Sequence, residues 1–125
     1  MQEHTRKDQP IHWDLMLETG GVLQTYRLDM PPERASSNLP QLCTATRIHD
    51  HPIRFLTYQG SVNNGLGSVR IVDSGTYRLI DHSADYLLLD FHGDILSGKF
   101  RLAHVENDQW KLHRRLRNAN LQGHG

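Results

Sequence analysis

A chain of 125 residues is long enough for one domain with its own core, and 37% hydrophobic against 22% charged residues makes it a rather polar one. Fourteen basic and fourteen acidic residues cancel, which argues against a protein that coats nucleic acid nonspecifically while leaving room for a local basic patch. No apolar run approaches the ~20 residues of a membrane span and no signal-peptide pattern opens the chain. Cys43 is the only cysteine, which excludes a disulfide framework and a cysteine zinc site. A cytoplasmic protein is the expectation.

Residues 1–10 are polar, close on Pro10, and read as a loosely held N-terminus. His12-Trp13-Asp14-Leu15-Met16-Leu17-Glu18 then alternates, with Trp13, Leu15 and Leu17 apolar against His12, Asp14 and Glu18. Period two predicts a strand with one face on a core. His12 and Asp14 then point the same way, about 6.5–7 Å apart at Cα, and an imidazole and a carboxylate at that spacing can converge on one divalent cation. The bland reading is an edge strand with a solvated polar face. His4, eight positions earlier, could fold back as a third ligand or be a frayed surface histidine. The chain holds nine histidines (His4, His12, His49, His51, His82, His92, His104, His113 and His124), many of which a surface alone would explain.

Gly20-Gly21 predicts a hairpin, with residues 22–28 as the return arm. Residues 29–41, with Pro31, Pro32 and Pro40, read as a surface loop. Residues 43–51 alternate weakly: Arg47, His49 and His51 share one parity, a plausible oxyanion-binding face. Alternatively, Asp50 followed by Pro52 starts a short helix through Tyr58, with Asp50 as its cap. Gly60, Gly65 and Gly67 around Asn63-Asn64 form a turn-rich loop that is no phosphate loop, because a strand follows and no Gly-Lys-Ser/Thr does. Residues 68–72, 76–80, 86–91, 95–105 and 110–113 complete the strands, separated by Asp73-Ser74-Gly75, His92-Gly93-Asp94 and Glu106-Asn107-Asp108. The expected fold is mainly β: a small antiparallel β-barrel or sandwich with one or two short helical segments. Residues 1–117 would form the single domain. Lys111, Arg114, Arg115 and Arg117 are either a phosphate-contacting patch or a solvated charge run, and 118–125 a disordered tail.

The order of these motifs resembles one family: the 3′-phosphoesterase domain of the bacterial multifunctional DNA ligase D, which also occurs as a short stand-alone protein. The resemblance is carried by residues 12–18, Gly21-Val22-Leu23, Asp50-His51-Pro52, Asp73-Ser74-Gly75-Thr76-Tyr77, Leu96-Ser97-Gly98-Lys99-Phe100-Arg101-Leu102 and Trp110-Lys111-Leu112. It implies a small β-barrel and a manganese-dependent activity that trims a 3′-terminal ribonucleotide and removes a 3′-phosphate from DNA, for a repair polymerase or ligase to use the end. By position, the resemblance makes His12 and Asp14 metal ligands, His51 a phosphate-binding or acid–base group, and Glu18 a residue that orients ligands from behind. It also marks departures. Met16 stands where the family strand has arginine, Met30 where it has lysine, Phe55 where it has tyrosine and Cys43 where it has another arginine. Arg6 occupies the place of the N-terminal histidine ligand, so His4 serves only if two extra residues loop out.

A thioether cannot replace the paired, charge-assisted bonds of a guanidinium. Arg47, Arg54 and Arg70 are the expected substitutes in the phosphate grip, Arg47 foremost. Two functions follow as expectations: a metal-dependent phosphoesterase acting on DNA 3′ ends, or a catalytically degenerate module of the same fold that docks on DNA ends or a repair protein. A plain metal-binding β-domain is a third.

Overall fold

The structure, a computed structural model, describes residues 1–37 and 42–115. The described residues form one antiparallel sheet of ten strands: β1 Gln2–Arg6, β2 His12–Thr19, β3 Val22–Leu28, β4 Cys43–His51, β5 Gly60–Val62, β6 Gly67–Ile71, β7 Gly75–His82, β8 Tyr86–Gly93, β9 Ser97–Glu106 and β10 Gln109–Arg114. They lie in the order β5-β6-β1-β2-β3-β4-β10-β9-β8-β7. The mainly β expectation holds. Barrel closure does not, since β5 and β7 are edges of an open sheet and do not pair with each other. Short helical pieces follow β3, as α1 Pro32–Ala35, and follow β4, as a 3₁₀ turn Ile53–Thr57; another turn spans Asn63–Gly65. Residues 38–41 of the expected loop, Arg117 and the expected tail lie outside the described residues.

Local chemistry explains the register. Thr19 pairs with Val22, which leaves Gly20 and Gly21 as a two-residue turn with φ +59° and +83°; such turns need positive φ at both positions, and glycine takes it without steric cost. Register then follows across the hairpin, with Asp14 opposite Arg27, Met16 opposite Thr25 and Glu18 opposite Leu23. Between β3 and β4 the register shifts: Thr25 faces Ile48 and Leu23 faces His51, so β4 carries an extra residue there. The bulge changes which side chains share a face.

Strand alternation sends Leu15, Leu17, Tyr26 and Leu28 into one cluster with Leu89, Phe91, Phe100, Leu102 and Leu112. Met30 and Cys43 belong to this core, and burial pushes the Cys43 thiol up to about 12. Those two positions, where the family pattern has cations, are here apolar packing. Asp73 is buried and accepts the backbone N–H groups of Ile95 and Leu96 at 3.0 and 2.8 Å, which ties the loop before β7 to the loop after β8.

The N-terminus is corrected. Residues 2–6 are not loose but form an inner strand, paired with β2 on one side and β6 on the other. Their polar sequence hid them, because the face opposite the main core is lined by polar side chains that find partners. The alternatives at residues 50–58 are resolved in sequence: β4 runs to His51 and the 3₁₀ turn starts after Pro52, with no side-chain cap. Asp50 instead pairs with Arg47 at 2.8 Å.

Candidate active site

The second face of β1, β2 and β3 is where the polar residues gather. The register sets His4 opposite His12 and Gln2 opposite Asp14; the connection of residues 7–11 absorbs the extra length that His4 needed. His4 Nδ1 lies 2.9 Å from His12 Nε2, and the two rings meet edge to face. His12 Nε2 is 3.9 Å from Asp14 Oδ1. One donor atom from each of His4, His12 and Asp14 falls within 4.8 Å of the others. Gln2, 3% exposed, crosses beneath the 3₁₀ turn and donates to the carbonyls of Phe55 and Tyr58 at 2.7 and 2.9 Å. That amide fastens the turn over this face.

The donor set suits a divalent cation of borderline hardness, two imidazoles and one carboxylate. Burial is the main cause that pushes His4 and His12 below the ordinary histidine value, partly offset by the Asp14 charge. Ligand imidazoles must be neutral, so the environment favours the ligating form. The Nε2 of His4 is buried and without a hydrogen-bond partner among the described residues. A Cβ built on Gly67 would stand 3.2 Å from that atom, so the glycine leaves room for the ring. The residues present fit a metal.

His51 approaches from β4. Its Nδ1 lies 3.1 Å from the carbonyl of His49 and 2.9 Å from Thr25 Oγ1. A carbonyl only accepts, so Nδ1 carries the proton and donates, while Thr25 passes its own hydroxyl proton to the Leu23 carbonyl at 3.0 Å. Nε2 is thereby left with its lone pair. Burial again holds this imidazole below its ordinary value, with Asp14 opposing and the His49 charge assisting. Phe55 packs on the His51 ring at 5.2 Å, and His49 stacks on it at 4.9 Å.

The remaining expected residues are placed as follows. Arg47 does not join His51: the bulge puts it opposite Tyr26, over whose ring its guanidinium sits at 5.3 Å, on the other face. Arg70 is paired with Glu3 at 2.9 Å. Arg54 is on the 3₁₀ turn, exposed, over the Phe55 ring at 5.5 Å. Glu18 lies four residues beyond Asp14, about 13 Å along the strand, too far to orient the His12–Asp14 pair. Its carbonyl accepts the Tyr77 hydroxyl at 2.7 Å and its side chain is exposed. In the basic run near the C-terminus, Arg114 is occupied by the carbonyls of Ser36 and Ser97.

One residue was missed. Arg27 of β3 reaches Asp14, with Nε 3.3 Å from Oδ1, and its side chain is 42% exposed. The hairpin register that Gly20-Gly21 dictates places it there, so counting back from the turn would have found it.

Taken together, an open antiparallel sheet presents three imidazoles, a buried carboxylate and a guanidinium on one polar face. Residues 2–104 match the family model of the DNA Ligase D 3′-phosphoesterase domain, and the chain belongs to that family. It is 31% identical over 121 residues to the multifunctional non-homologous end joining DNA repair protein LigD of Mycobacterium tuberculosis strain H37Rv, covering 91% of this chain and 15% of that protein. It is 29% identical over 130 residues to the LigD protein of Mycolicibacterium smegmatis, covering 91% and 16%, and 26% identical over 116 residues to that of Pseudomonas aeruginosa, covering 82% and 13%. The chain thus spans about a sixth or less of the curated relatives it matches.

Proposed function

We propose that this chain is a metal-dependent phosphoesterase acting on DNA 3′ ends, removing a 3′-phosphate or a 3′-terminal ribonucleotide during end-joining repair. The supporting observation is the convergence of His4, His12 and Asp14, in a chain of the ligase D 3′-phosphoesterase family whose His51 is held by Thr25 of the next strand. His4, His12 and Asp14 would hold the ion, which we take to be manganese or another divalent metal. Bound there, it would supply positive charge to a phosphate and lower the pKa of a coordinated water or hydroxyl.

The chain's own groups do the rest. Asp14 lies between His12 and Arg27, its Oδ1 3.9 Å from His12 Nε2 and 3.3 Å from Arg27 Nε. His51, with Nδ1 fixed by His49 and Thr25, presents an Nε2 lone pair that can take a proton from the attacking water. Once protonated, it can return that proton to the departing 3′ oxygen. The partners of this reading are DNA 3′ ends, RNA-terminated ends included, and a repair ligase or polymerase that uses the 3′-hydroxyl; such work lies in the bacterial cytoplasm.

The test is release of inorganic phosphate from a 3′-phosphorylated primer–template, with and without Mn²⁺. Manganese-dependent release that is lost in His51→Ala supports the reading. No release from folded, manganese-binding protein removes it.

That second outcome would favour a degenerate end-binding module. Met16 motivates it, because this buried thioether occupies the strand position where the family pattern has a guanidinium. Phe55, without a hydroxyl, lies against His51. If Met16→Arg confers activity on an inactive wild type, the module reading holds.

A further inference from the structure

The resemblance implies a phosphate-binding cation at the position of Met16, and a guanidinium stands on the neighbouring strand. Met16 faces Thr25, the residue that holds His51. A guanidinium at position 16 would therefore have stood between the Asp14 end of the face and the His51 end. Arg27 is two residues from Thr25 on the same face of β3, about 6.5–7 Å away at Cα, and its long side chain extends along that face to Asp14. It bonds Asp14 through Nε alone, and its two terminal nitrogens make no hydrogen bond among the described residues. Of the other arginines, Arg47 is paired with Asp50, Arg70 with Glu3, Arg78 with Asp90 and Arg114 with backbone carbonyls, whereas Arg54, on the 3₁₀ turn, makes no ion pair among the described residues and lies over the Phe55 ring.

We propose that Arg27 is the substrate-gripping guanidinium of this chain, binding the phosphate with its terminal nitrogens from β3 in place of the group that Met16 lacks on β2. The inference rests on the phosphoesterase reading above. A fork of two N–H donors beside a carboxylate-held cation site suits the non-bridging oxygens of a terminal phosphate. Asp14 fixes the stem of the side chain, so the fork is oriented before substrate arrives.

The experiment compares wild type, Arg27→Ala, Arg27→Lys and the double variant Met16→Arg/Arg27→Ala. Two quantities are measured: Mn²⁺ affinity by direct titration, and kcat/KM for phosphate release from a 3′-phosphorylated primer–template at saturating Mn²⁺. The proposal expects Arg27→Ala to lose about 10²–10³-fold in kcat/KM, with Mn²⁺ affinity changed far less. Arg27→Lys should recover part of the loss, and the double variant should recover more than Arg27→Ala retains. If Arg27→Ala weakens Mn²⁺ binding and full rate returns at saturating Mn²⁺, Arg27 serves only to hold Asp14 and the proposal is overturned. If the wild type releases no phosphate at all, the phosphoesterase reading fails separately, and binding decides the role of Arg27. A wild-type preference for 3′-phosphorylated over 3′-hydroxyl DNA that Arg27→Ala abolishes sustains the grip; no preference, or one that survives in Arg27→Ala, overturns it.

Discussion

The two faces of β2 carry different burdens on one backbone. Leu15 and Leu17 enter a cluster of apolar side chains, whereas Asp14 and Met16, equally buried, lie among His12, Thr25 and Arg27. The core face is held by contact area that any well-fitting hydrocarbon supplies. On the polar face each desolvated group must find a partner, and its geometry is therefore specified atom by atom. The incomplete satisfaction of His4 Nε2 and the depressed imidazoles are the energetic mark of that face. The difference teaches that stability and chemistry can be changed separately here, although they alternate residue by residue.

The largest effect should come from removing a ligand. His12→Ala or Asp14→Ala is expected to lower manganese-dependent phosphate release by about 10²–10³-fold or more, while circular dichroism shows the sheet intact; full activity in both variants would end the metal assignment. The converse variant is Leu28→Ala on the core face, where Leu28 is fully buried. It should cost about 2–5 kcal/mol in chemical denaturation and leave Mn²⁺ affinity per folded molecule unchanged. A matched loss of Mn²⁺ affinity would show that the two faces are not separable.

Thr25→Val tests the link between β3 and His51. It removes one acceptor of the Nδ1 proton and the bond to the Leu23 carbonyl, so a stability loss of about 1 kcal/mol is expected, with a shift in the pH–rate profile as His51 loses its anchor. The smallest effect is on thermal stability against pH in metal-free protein. His4, His12 and His51 all have folded-state values below the ordinary one, with desolvation as the first cause. The unfolded chain therefore takes up protons first as pH falls below about 6.5. Stability should be full above that value and decline as pH falls through the folded values. A melting temperature that is flat from pH 8 to 5, or rises on acidification, would contradict this.

Much of the sheet was legible because the strands obey period two and their turns are punctuated by glycine, asparagine and aspartate. The strands from residues 12 to 28 were read almost to the residue, since Gly20-Gly21 pins a two-residue turn. β1 escaped because its buried side, Gln2 and His4, is polar, and a strand buried by hydrogen bonds leaves no hydrophobic pattern to see. Arg47 was misjudged for a related reason. Parity counting assumes an unbroken ladder, and the extra residue on β4 reverses the face between Arg47 and His51.

The sequence by itself determined the antiparallel, mainly β character of the protein and set His12 and Asp14 on one face of a strand, because alternation and turn chemistry are local properties. Only the tertiary structure decided that His4 meets His12, that the sheet stays open and that Arg47 faces away from His51. Those outcomes depend on strand register and a single bulge, which arise from pairing between segments distant in sequence and are set by the fit of the whole sheet.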